Sequence, residues 1–599
     1  VGSAGCKFDW RNIFDVENKS GRRHNPRVFK SPQVAGLAFV ERSRVLEARR
    51  PEGKTTLYCH GPCDCRRNWC PAWGAIPAAC LIGCTGTGST VSSFGTQEAG
   101  IVDSSGARDG TLRNDDAAGI GNRDGATDVS GGSRDGSTDS GGGPANDGSS
   151  GTHAIEAGGS MVGALPTATP APPVLTPTST DATTDYYNIT VRAGTAQMKP
   201  GATTAIVGFN GVFPGPTIVA TKGRTVQVTQ TNAWSENITI HNHGHKAAAS
   251  SDGHPIDYIT PGSSKTYTYP NDQRAGTYWY HDHTMDLTGP HVYAGIAAFY
   301  LIRDPAEDSL NLPSGTYDVP LIIQDKQFNS DNSLRYDGTQ ISDGFLGDTA
   351  VVNGIVAAHF EVATHRYRFR ILNGSNSRSY VLQLKSGGSF QVIASDGGLL
   401  AAPVTVHSLA VAPAERYDVV IDFGQYGMGS SETLVNGDRT SPVITDLLEF
   451  RITASTPDAS AVPAQLSSIA RYDSAQAVTT TQLTLARGAN WTINGLTYDP
   501  ARLDVTSSLS QVYIWSLVNF GGGRTHPFHK HLTEFQILDI NGSPPPPEQS
   551  GWKDTVAVPN GATVRIIFRN ETFTGTYVFH CHRLEHEDHR MMLQESVVP

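Results

Sequence analysis

His580-Cys581-His582-Arg583-Leu584-Glu585-His586, with Met591 ten positions beyond the cysteine, is the stretch on which the reading of this chain turns. It sets a soft thiolate, several imidazoles and a thioether close together. Neighbouring side chains of an extended strand face opposite ways, so Cys581 points to one side while His580 and His582 point to the other. One strand can therefore touch two metal sites. A thiolate with two imidazoles and a weak axial thioether suits a blue-copper electron-transfer centre, and the flanking histidines suit a second, imidazole-rich copper site. The backbone they share gives electrons a short path between the two.

Three further His-X-His pairs, His241/His243, His281/His283 and His529/His531, bring the total to four. The i, i+2 spacing puts both rings of a pair on one strand face. Eight imidazoles are enough for three ions, with two on one and three on each of the others. His526, which opens His526-Pro527-Phe528-His529-Lys530-His531, is the candidate for the remaining blue-copper imidazole. A lone His-X-His is common on a polar strand face and would favour zinc; four pairs beside a single cysteine favour copper. His24, His60, His153, His245, His254, His291, His359, His365, His407 and His589 fall outside the scheme and read as surface or structural residues.

With those residues in view, the chain resembles a three-domain multicopper oxidase, and within that family the bacterial spore-coat laccase and bilirubin oxidase branch. The resemblance runs over about 186–593. Its most specific pieces, besides the terminal copper string, are Tyr280-His281-Asp282-His283, Val292-Tyr293-Ala294-Gly295, Tyr367-Arg368-Phe369-Arg370, Asp396-Gly397-Gly398-Leu399-Leu400, Ala412-Pro413-Ala414-Glu415-Arg416-Tyr417-Asp418 and Gly551-Trp552-Lys553-Asp554-Thr555. It implies four coppers per chain. His241 and His529 would hold the type 2 ion; His243, His281, His283, His531, His580 and His582 the two type 3 ions; His526, Cys581 and His586 the type 1 ion, with Met591 axial. Asp252 and Glu587 would deliver protons, although each could instead only hold a histidine in its tautomer. Met591, beside Met592, could also be core filler. Lys530 and Asn242 depart from the branch pattern, which carries apolar residues there; on a strand both should face away from the metal.

The activity so implied is one-electron oxidation of a small reducing substrate at the type 1 copper, entered through the edge of His526 near the surface. Transfer through Cys581 and reduction of dioxygen to water at the trinuclear site would follow. Phenols, aromatic amines and tetrapyrroles are the substrates the branch implies, with ferrous iron as the rival on the same scaffold. A copper nitrite reductase lacks a paired type 3 centre, so the four pairs argue against it. A structural coat or wall protein that has kept the fold is opposed by the complete ligand set.

A chain of 599 residues exceeds what one core needs. Its net charge of -11 is thinly spread, with 17% charged residues and no basic stripe, which speaks against a nucleic-acid partner. Seven of the eight cysteines precede residue 85, leaving Cys581 without a disulfide partner in its own region. The segment 1–85 could be a metal knuckle, a disulfide scaffold or unfolded chain, and carries no assigned function. Its apolar patch at 69–84 follows Arg66-Arg67 and resembles a short secretory segment, too short to span a bilayer. Sequons at Asn188, Asn237, Asn373, Asn490, Asn541 and Asn570 permit glycosylation. These features favour an extracellular or cell-surface monomer with no membrane span.

Residues 86–184, rich in Gly, Ser, Asp and then Pro, cannot bury enough apolar surface to offset chain entropy and are expected to form a disordered linker. Beyond it, short β-branched and aromatic runs broken by turn signals predict antiparallel sandwiches. The expected fold is all-β, with three cupredoxin-like Greek-key β-sandwich domains at 185–305, 315–455 and 480–599. The first and last would share the trinuclear site; the middle one, without a His-X-His, would hold no copper and serve as architecture, spacing the outer domains and walling the substrate approach.

Overall fold

The computed structural model describes residues 171–337, 343–520 and 523–599. The cysteine-containing segment 1–85 and the linker as far as residue 170 lie outside the described residues, as do His24, His60 and His153. The expectation of disorder through residue 184 fails at its end. From 171 onward the chain lies along the first sandwich: Leu175 N–H donates to Thr217 O (2.8 Å), and Ser179–Thr180 pairs antiparallel with Thr184–Ala196. Leu175 supplies the apolar side chain that packs on this domain's core.

Each sandwich stacks two sheets. In the first, one sheet is built on Thr184–Ala196, Thr225–Asn232 and Ser264–Tyr269, and the other on Ile218–Thr221, Ala297–Arg303, Gly276–Asp282 and Ile240–His243. Alternation drives the packing. In Thr225–Asn232 every second residue is buried, which places Val226 and Val228 in a core with Ile189, Tyr267 and Tyr278. A seven-stranded and a five-stranded sheet form the second sandwich, and two five-stranded sheets form the third. The entering strand of each pairs parallel with a later one: Thr184–Ala196 with Thr225–Asn232, Asp318–Lys326 with Arg366–Asn373, and Ala477–Arg487 with Val512–Asn519. The sheets are therefore mixed rather than purely antiparallel, because a parallel partner requires a long intervening excursion and each domain supplies one.

Among the described residues only two segments, Thr288–Ala294 and Leu584–Asp588, are α-helical, and no helix is long and apolar enough to cross a membrane. The second of these turns the chain back after Cys581, which returns His586 to the cysteine.

Two of the sequons are built into the interior. Asn373 donates to the carbonyls of Arg378 and Val411 (2.8 and 2.9 Å), and Asn570 donates to Ser507 Oγ (2.8 Å). Folded protein from a glycosylating host should therefore be unmodified at Asn373 and Asn570. Peptide mapping by mass spectrometry checks this, and glycan on either residue of the soluble protein would contradict the packing.

Candidate metal centre

Four short strands carry the histidine pairs. In the first domain Ile240–His243 pairs with Gly276–Asp282, placing His241 opposite His281; in the third, His526–Lys530 pairs with Gly575–Cys581, placing His529 opposite His580. Each pair has one face turned to the boundary between the domains, where all eight rings are buried. Candidate donor atoms fall into groups within 4.8 Å: His243, His281 and His582; His283, His531 and His580; and His241, His529 and His531. In the second group Nε2 of His580 lies 3.2 Å from Nε2 of His283 and 3.4 Å from that of His531.

Which nitrogen faces the cluster is fixed from outside it. The Nδ1 atoms of His241, His281 and His529 lie 2.6, 2.7 and 2.8 Å from the carbonyls of Asp252, Asp282 and Asp554. A carbonyl only accepts, so the proton sits on Nδ1 and each Nε2 keeps its lone pair. Those three Nε2 atoms are buried with no hydrogen-bond partner. His243 is turned the other way: its Nε2 meets Asp554 Oδ1 at 2.9 Å and its Nδ1 is left unpartnered. Burial, followed by the His283 ring, brings His281 down to about 3, and at His283 burial outweighs the opposing Glu587 carboxylate and brings the ring down to about 4. Buried neutral imidazoles with converging lone pairs are a metal-ligand set.

The two expected carboxylates lie directly behind the ligands. Asp252 Oδ2 is 2.8 Å from His531 Nδ1, while the oxygens of Glu587 lie 3.3 Å from His283 Nδ1 and 3.2 Å from His580 Nδ1. Burial pushes the Asp252 carboxyl up to about 8. Burial acts the same way on Glu587, but the His283 and His580 imidazoles outweigh it and hold that carboxyl well below the usual range. Gly253 lets Asp252 come this close: it has φ of 81°, and a Cβ there would collide with Ile240 O.

Behind the cluster, Cys581 faces into the third domain's core. Its Sγ lies 3.2 Å from His526 Nδ1 and 3.5 Å from His586 Nδ1, and the two nitrogens are 3.3 Å apart. Burial pushes the thiol up to about 12, so a cation must displace its proton on binding. Met591 is buried in the same core cluster, and its carbonyl accepts from Cys581 N–H (3.1 Å). The expectation that His526 offers an edge at the surface is corrected: it is 0% exposed, its strand being covered on both sides.

Several functional residues escape a reading by motif. Arg416, at the start of a strand in the second domain, is fully buried and clamps Asp554 through Nη1–Oδ1 (2.7 Å) and Nη2–Oδ2 (2.5 Å). Beside it, Lys553 is held by Asp396 (3.1 Å) and Glu415 (3.2 Å) of the second domain. Trp491 stacks on His586 with ring centres 3.9 Å apart. Sequence marked Asp554 and Arg416 as parts of motifs, but only the fold joins them. Lys530 points away from the cluster, as a middle residue of a strand pair should, and its buried ammonium meets Glu595 Oε2 at 2.6 Å. Asn242 is buried too, and its amide has no partner among the described residues.

This combination of three sandwiches, an eight-imidazole cluster and an adjoining Cys/His site defines a copper oxidoreductase that uses dioxygen. Multicopper oxidase family models match residues 190–307, 323–441 and 472–599. The chain is 35% identical to the laccase of Bacillus subtilis over 503 residues, covering 71% of this chain and 96% of that protein. It is 37% identical to the bilirubin oxidase of Albifimbria verrucaria over 434 residues, covering 68% and 75%. A multicopper oxidase crystal structure from Pediococcus acidilactici superposes with a TM-score of 0.69 at 33% identity, covering 73% of this chain and 92% of that one. The chain belongs to the multicopper oxidases.

Removing the guanidinium from Asp554 strands a buried charge. Arg416→Met should cost about 3–5 kcal/mol of stability in urea unfolding. A change within about 0.5 kcal/mol, as for a surface substitution, would contradict the clamp.

Proposed function

We propose that the protein is a laccase-type oxidase of small aromatic reductants. The observation that carries this reading is the complete donor set: eight buried imidazoles whose donor atoms group within 4.8 Å in threes, with Nε2 of His241, His281 and His529 and Nδ1 of His243 left without hydrogen bonds. His241 and His529 would hold the type 2 ion; His243, His281 and His582 one type 3 ion; His283, His531 and His580 the other; His526, Cys581 and His586 the type 1 ion, with Met591 as a further, thioether donor. When bound, copper supplies one-electron acceptance at the Cys581 site and four-electron reduction of dioxygen at the cluster. Cys581 passes electrons to His580 and His582 through adjoining backbone. Four donors each give up one electron, and with four protons one dioxygen becomes two waters.

Asp252 is the better proton carrier of the two carboxylates, because burial raises its affinity for a proton while the imidazoles around Glu587 fix that group as an anion. Glu587 then mainly holds His283 and His580 in place. Ferrous iron is the weaker substrate reading. The cleft beside the type 1 residues is lined by Arg378, Arg524 and Arg583 and by one carboxylate, Asp438, so it offers a ferrous ion no cluster of acidic ligands.

Two measurements test this. Metal analysis should give about four coppers per chain, and oxygen-electrode assays should show uptake with a phenol that exceeds uptake with Fe(II); the reverse preference would favour the ferroxidase. Asp252→Asn should keep the blue absorption but slow single-turnover reoxidation by dioxygen about a hundredfold. An unchanged reoxidation rate would remove Asp252 from proton delivery.

A further inference from the structure

We propose that the cleft beside the Cys581 site is an anion subsite, in which Arg583 and Arg524 select aromatic reductants that carry a carboxylate. The inference rests on the oxidase reading above and deepens it. The cleft has a volume of ≈ 210 Å³ and lies between Ser377, Arg378 and Asp438 of the second domain and Arg524, Thr525 and Arg583 of the third. Thr525 directly precedes His526, and Arg583 lies between Cys581 and His586 in the chain. A ligand here is therefore next to the residues that take the electron.

The charged groups of the cleft are unequally satisfied. Arg378 is neutralised by Asp325, its Nε lying 2.8 Å from Oδ2, and its Nη2 donates to Gly347 O (2.7 Å). Asp438 accepts from the Thr440 hydroxyl (3.1 Å) and amide (3.3 Å). Arg524 stands 3.6 Å from Asp343 Oδ2, and Arg487 already holds the other oxygen of that carboxylate. Among the described residues no carboxylate lies within 4.0 Å of Arg583; Glu585 and Asp343 act on it only from farther away. Arg583 is only 8% exposed; its Nε donates to Thr525 O (2.9 Å), its Nη1 reaches Asp343 O at 3.4 Å, and its Nη2 has no acceptor among the described residues.

A buried guanidinium hydrogen-bonded only to carbonyls lacks the directly paired carboxylate that normally accompanies such burial. A carboxylate meets its planar fork with two parallel hydrogen bonds, and Arg524 adds a second positive charge at the mouth. Pockets that take drug-sized ligands run to roughly 300–1,000 Å³, so this one admits a single substituted ring. With its carboxylate on Arg583, that ring lies against Thr525, one residue from His526.

The test uses the copper-loaded enzyme with guaiacol and with vanillate, the same phenol bearing a carboxylate. The ratio of kcat/KM for vanillate over guaiacol should fall about tenfold in Arg583→Gln and about threefold in Arg524→Gln. Benzoate, which cannot be oxidised as a phenol, should raise KM for guaiacol without lowering kcat, and acetate should do so far less. An unchanged ratio in both variants, or no competition by benzoate, overturns the proposal, and equal competition by acetate reduces the site to a bare anion site and overturns it as well. Should Arg583→Gln not load copper, Arg524→Gln and the benzoate competition decide the matter. If wild-type enzyme turns over neither phenol, the oxidase reading fails, and calorimetric titration of benzoate decides the subsite separately.

Discussion

An imidazole binds a metal only through a nitrogen that carries no proton, so the copper cluster depends on where the protons of its rings are held. Three acidic residues settle this for six of the eight histidines. Asp252 takes His241 on its carbonyl and His531 on its carboxylate; Asp554 takes His529 on its carbonyl and His243 on its carboxylate; Glu587 faces His283 and His580 with its two oxygens. In every case one histidine belongs to the first sandwich and the other to the third. Each acid is thus a bracket across the domain boundary, and docking of the domains and orientation of the ligands are one event. A backbone carbonyl cannot ionise, which makes it a firmer tautomer lock than a side chain.

The brackets differ in charge, and the difference follows from what stands behind them. Burial pushes the Asp554 carboxyl up, and Arg416 at its back in a paired fork opposes that push. Behind Asp252 there is no such fork; Lys530, the nearest ammonium acting on it, is itself tied to Glu595. Low dielectric therefore acts on Asp252 with little opposition, and a group that can gain and lose a proton is left beside the cluster.

The sequence showed the parts of this centre that are local and left out those that depend on folding. His-X-His spacing and a solitary cysteine are local signals, and a strand converts them directly into faces; His529 opposite His580 and His241 opposite His281 follow from that geometry. Arg416 and Asp554 are 138 residues apart, and no periodicity joins them. Surface access at His526 was misjudged because exposure depends on what packs over a strand, which the strand's own residues do not record. The ordered stretch from 171 to 184 was hidden by its composition, since a few apolar residues among prolines and threonines suffice when a sheet edge is there to receive them.

The second sandwich carries no candidate copper ligand, yet it does more than space the outer domains. Through Arg416 and the Lys553 partners Asp396 and Glu415 it places charge behind the cluster, and through Arg378 and Asp438 it walls the cleft beside the Cys581 site. The first contact sets a guanidinium against a buried carboxylate, and the second borders a guanidinium of the third domain that is hydrogen-bonded only to carbonyls. Because both contacts come from one rigid sandwich, a shift of that domain would disturb the ligand brackets and the substrate approach together. One domain without a candidate copper ligand thus touches both the residues behind the histidine cluster and the cleft beside the Cys581 site.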